Sequence, residues 1–70
     1  MYIKVKSYRI IWNYRELAIV KMQINLFTMK LKAIIKLSNN DEHIIYSVGE
    51  TNDDFQRRVE IFVHSKSNLY

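Results

Sequence analysis

Apolar and polar residues alternate along much of the chain, and helical spacing is clearest near the C-terminus. Residues 2 to 12 alternate loosely. Ile3, Val5 and Ile11 fall on one side, with Ser7 and Arg9 between them; Tyr2, Lys4, Lys6, Tyr8, Ile10 and Trp12 fall on the other. β-Branched and aromatic side chains suit a pleated surface, so this segment predicts a strand, ended by Asn13 to Glu16.

Residues 17 to 37 carry two competing patterns. Val20-Lys21-Met22-Gln23-Ile24-Asn25-Leu26 alternates without a fault, and Met29, Leu31, Ala33, Ile35 and Leu37 form a second apolar row against Lys30, Lys32 and Lys36. The parity changes at Phe27-Thr28, which predicts a bulge or turn there. The same stretch also fits a helix. Leu17, Val20, Ile24, Phe27, Leu31 and Ile34 make an apolar stripe, with Asn13 and Glu16 as a capping box. That helix would set Gln23 and Lys30 on its apolar side, whereas the strands need a turn at Phe27-Thr28 without Gly, Asn or Asp. Two strands are the preferred expectation.

Ser38-Asn39-Asn40-Asp41 is the clearest turn, because Asn and Asp tolerate left-handed backbone angles and bond locally. It separates a strand at 29–37 from one at 42–48, which places Ile44, Tyr46 and Val48 on one face. A hairpin of these two is expected. Thr51 then caps a helix over about 52–64, with Asp53 and Asp54 in its first turn. Asp53 with Arg57 and Asp54 with Arg58 form i, i+4 pairs. Phe55, Val59, Phe62 and Val63 share one stripe, and Ile61 lies off it. A strand through Val59, Ile61 and Val63 is the alternative, and Ser65 to Tyr70 reads as a polar tail. The expected fold is therefore α+β: residues 1–70 as a single domain, with a small, mostly antiparallel sheet of three to four strands and one C-terminal helix.

Composition narrows the class. The chain has 70 residues, no cysteine, no proline and one glycine. Disulfides and thiolate metal centres are excluded, as is a glycine-rich phosphate loop. No apolar run approaches the roughly 20 residues of a spanning helix, and Lys4 and Lys6 interrupt any leader pattern. The expectation is a cytoplasmic protein with no membrane partner. Abundant Lys, Ile and Asn, all with AT-rich codons, suggest an AT-rich microbial, phage or plasmid source. His43 and His64 stand far apart with no metal-ligand spacing. Asp41 is accounted for by the turn, and Asp53 and Asp54 by the helix start. No catalytic residue, metal, cofactor or small-molecule substrate is expected, and the protein reads as non-enzymatic.

Charge suggests binding. Residues 1–37 hold eight Lys and Arg against Glu16 alone, whereas residues 38–70 are net acidic; the whole chain is +4. A thin core in a short chain favours self-association or a partner. Ile10, Trp12, Tyr14 and Ile34 are the candidate protein-interface residues, since Trp and Tyr are common anchors. A protein-interaction module, inhibitor or regulator that docks and forms homo-oligomers is the first expectation. The second is a single-stranded nucleic-acid binder. Its basic, tyrosine-bearing sheet face would hold Tyr2, Lys4, Lys6, Tyr8, Lys30, Lys32 and Lys36, joined by Lys21, Gln23 and Asn25.

Overall fold

Two consecutive residues with positive φ, Asn13 at 51° and Tyr14 at 62°, reverse the chain after its first strand. This pair of angles is the type I′ pattern, whose twist matches that of the strands it joins. It links β1 (Tyr2–Trp12) to β2 (Arg15–Asn25) in a long antiparallel hairpin. The sheet continues through β3 (Leu31–Leu37) and β4 (Glu42–Tyr46) in the order β1-β2-β3-β4, every pair antiparallel. One helix, α1 (Asn52–Ser67), follows. These elements come from a computed structural model, which describes residues 1–67. The expected α+β architecture is present: a four-stranded antiparallel sheet with one C-terminal helix.

Segment 17–37 forms strands and not a helix. On β2, Ala18, Val20 and Met22 are buried, whereas Ile19 and Lys21 are exposed, which is a period of two. Asn25 makes the β2–β3 turn. Its Oδ1 accepts from the backbone N–H of Phe27 at 2.8 Å and Thr28 at 3.2 Å, and its carbonyl accepts from Met29 N–H at 2.8 Å. The turn chemistry missing at Phe27-Thr28 is thus supplied two residues earlier. Met29 takes a φ of 60°, so β3 starts at Leu31 rather than 29.

The hairpin around Ser38–Asp41 forms as expected. Leu37 N–H donates to the Asp41 carbonyl at 2.8 Å, and Asn40 adopts a φ of 74°. β4 ends at Tyr46, two residues short of Val48, because the backbone leaves the sheet. Ser47 still closes onto β3, its Oγ accepting from Leu31 N–H at 2.8 Å. Gly49 then turns with a φ of 96°, a conformation that side chains rarely adopt.

Thr51 caps α1: its Oγ1 accepts from Asp54 N–H at 3.2 Å. The helix runs on through Ser67, past the expected end at 64, so Ser65–Ser67 of the expected tail are helical. Residues 68–70 of that tail lie outside the described residues. The anticipated Asp54–Arg58 pair is absent among the described residues. Arg58 instead bonds Glu50 Oε2 at 2.8 Å and the Tyr46 carbonyl at 2.8 Å. It thereby ties the β4–α1 connection to the helix. Val48 N–H and, secondarily, Arg58 hold the Glu50 carboxyl below its usual pKa.

α1 lies over β2 and β3. Phe55, Val59 and Val63 pack on Val20, Ala33 and Ile35, and none of the six retains solvent exposure. Ile10, Leu17, Ala18, Met22, Leu31 and Leu37 complete the core. Phe62 meets His43 edge-on, with ring centroids at 5.2 Å, and His64 meets Trp12 at 5.5 Å.

Candidate functional site

Among the described residues, the single helix leaves the other side of the sheet uncovered. Which residues reach that side follows from the strand register, because directly paired residues share a face. Buried Val20 is paired with Tyr8 and Ile35, which marks the helix side. The open side is then read in three cross-strand rows. Arg9, Ile19, Lys36 and Glu42 form one; Ser7, Lys21, Ile34 and Ile44 the next; Lys4, Gln23, Lys32 and Tyr46 the third. Tyr2 and Asn25 follow at the end.

Ile19, Ile34 and Ile44 give this face an apolar centre. Lys4, Arg9, Lys21, Lys32 and Lys36 surround it, against the carboxylates of Glu16 and Glu42. A shallow depression of about 260 Å³ is lined by Ile19, Lys21, Ile34, Lys36 and Glu42. Lys32 Nζ sits 4.6 Å from the Tyr2 ring centroid. Arg9 and Glu16 approach to 3.6 Å, but both are solvated, so the pair contributes little.

The register divides the expected tyrosine and lysine row. Lys4 pairs with Gln23 and Lys6 with Met22, leaving Val5 as an extra residue in a β-bulge. Beyond the bulge the faces exchange. Tyr2 and Lys4 stay on the open side, whereas Lys6 and Tyr8 turn under the helix. Lys6 donates to Gln56 Oε1 at 2.6 Å and lies 5.4 Å from the Tyr8 ring. The Tyr8 hydroxyl is buried with no hydrogen-bond partner among the described residues. Burial, with a smaller contribution from Glu60, pushes its pKa up to about 12. Lys30 lies in the β2–β3 turn, and Lys32 and Lys36 are on the open face with Lys21, Gln23 and Asn25.

The candidate interface residues separate as well. Ile10 is a core residue, 7% exposed, and has no surface to offer. Trp12 is half-exposed at the end of β1, and Tyr14 is fully exposed in the hairpin turn. Ile34 sits at the centre of the open face. Arg9, Ile19, Ile44 and Tyr46 belong to that face too; alternation pairs Ile44 with Tyr46 on one side of their strand but does not say which side of the sheet that is. Cross-strand register brings them together, and a second bulge that leaves Leu17 unpaired adds a further shift.

No helix among the described residues is long and apolar enough to cross a membrane. Compared with known proteins, the chain matches no family model, no curated protein and no solved structure.

Proposed function

We propose that this chain is a non-catalytic binding protein whose open sheet face docks on an acidic surface of a partner protein. One observation carries this reading. An isoleucine cluster, Ile19, Ile34 and Ile44, lies among five cations and Glu42 on the side of the sheet that the helix leaves bare. Apolar side chains supply contact area once water leaves, and the cations select and steer a partner bearing carboxylates.

Panning a random-peptide library on the immobilised protein tests the proposal. Enriched peptides should set an aliphatic or aromatic residue among Asp and Glu. Their binding should weaken as salt rises from about 0.1 M to about 1 M, where the Debye length falls from roughly 10 Å to 3 Å. Ile34→Glu should abolish binding, and Ile61→Glu, on the exposed side of α1, should leave it intact. No enrichment, or an Ile34→Glu variant that binds like wild type, overturns the proposal. Self-association through the same face would bring like charges together. Light scattering should then show its mass rising with salt, the opposite dependence.

Single-stranded nucleic acid is the second reading, favoured by Tyr2 and Tyr46 beside Lys4 and Lys32 on the open face. For an oligonucleotide ligand, Lys32→Ala should reduce the salt slope by a little under one unit. Tyr46→Ala should remove about 1–3 kcal/mol of stacking. Equal affinity of Tyr46→Ala and wild type rejects it.

A further inference from the structure

The turn between β2 and β3 presents bulky apolar side chains to water, and no described residue buries them. Phe27 is 84% exposed and Met29 67%, with Leu26 half-exposed beside them. The turn is not a loose loop. Asn25 accepts three backbone N–H groups within it, Asn25 N–H donates to the Lys30 carbonyl at 2.9 Å, and Lys30 N–H reaches Thr28 Oγ1 at 3.3 Å. A backbone built this firmly holds Phe27 and Met29 outward at one end of a molecule 41 Å long. We propose that this tip inserts into an anionic lipid surface, with Phe27 and Met29 as the inserting side chains.

Shape and charge both favour a bilayer as the occupant. The tip is convex, so it enters a soft interface without needing a matching cleft. Between Leu17 and Asn40 the chain carries no acidic residue, and Lys30 lies in the turn itself. Lys4 and Lys32 lie in the open-face row near its base. Cations beside an apolar tip are attracted to anionic headgroups while the tip takes up the acyl boundary. α1 begins at this same end with Asp53 and Asp54, and the nearby Glu50 is paired with Arg58. The acidic side is therefore the helix side, and the molecule should lean its open side toward the lipid. The expectation of no membrane partner rests on the missing spanning segment, which an inserting turn does not require. The proposal uses residues other than the isoleucine centre, so it stands or falls apart from protein docking.

Vesicle co-sedimentation tests it, with phosphatidylcholine alone and with about 30% phosphatidylserine added to supply surface charge. Wild type should sediment with the anionic vesicles and far less with the neutral ones. Phe27→Ser and Met29→Ser should each weaken binding by about tenfold, through lost apolar burial. Both side chains are exposed, so thermal midpoints should match wild type and rule out misfolding. A Trp12→Phe/Phe27→Trp variant should show a blue-shifted emission on anionic vesicles, reporting a tip out of water. Failure of wild type to sediment, serine variants that bind like wild type, or an unshifted emission each overturns the proposal.

Discussion

Tyr8 is a tyrosine whose ring is useful and whose hydroxyl is not. The ring packs against the core beneath α1, while the hydroxyl is desolvated without a partner. Its proton is held to about 12, against 10.0 for an ordinary tyrosine phenol. The sign of the linkage follows. Below pH 10 both folded and unfolded chains keep the proton, and stability is unaffected. Between about 10 and 12 the unfolded chain releases it first, so stability falls as pH rises. Tyr8→Phe should therefore match or exceed wild type in urea unfolding at pH 7 and lose less at about pH 11. A variant that is weaker at pH 7 with an unchanged alkaline loss would show that the hydroxyl is bonded. Glu50 has the opposite linkage. Its lowered pKa stabilises the fold above the usual carboxylate range, and that contribution fades as pH falls through the folded value.

The elements divide by how local their causes are. α1 was readable from its cap and stripe because Thr51, Phe55, Val59 and Val63 lie within a few residues of each other. The Ser38–Asp41 hairpin was readable for the same reason. Arg58 was not, since it passes over Asp54 to reach Glu50 and the Tyr46 carbonyl across a connection whose path no periodicity reveals. The β2–β3 turn lies between these cases: its signal is Asn25, which alternation assigns to the strand before it. Asn25→Ala should cost about 1 kcal/mol, as loss of a comparable cap does, and should leave the sheet in place. Phe55→Ala, at a fully buried position, should cost about 3–5 kcal/mol. That is a large share of the roughly 5–15 kcal/mol that holds a small domain together. Chemical denaturation followed by far-UV circular dichroism distinguishes the two, and equal losses would contradict this ranking.

At the scale of the whole molecule, the two sides of the sheet are chemically unlike, and the make-up of the open face is a property of the register. Sequence alternation correctly grouped Lys21, Gln23, Asn25, Lys32 and Lys36. It failed in β1 because a bulge breaks the rule that residues two apart share a face. Alternation therefore groups Tyr2 and Lys4 with Lys6 and Tyr8, which the fold sends to the opposite side. The same bulge has a consequence for colloidal behaviour. β1 is the long free edge of the sheet, eleven residues with no proline. Such an edge is a template for another chain unless something disrupts it. Val5 interrupts the ladder here, between Lys4 and Lys6. Deleting Val5 would leave every remaining side chain on its present face, since Lys4 and Lys6 already oppose adjacent residues of β2. It would also leave the ladder regular from Tyr2 to Ile10, so a shortened chain with the same open face should be the one that grows into fibrils.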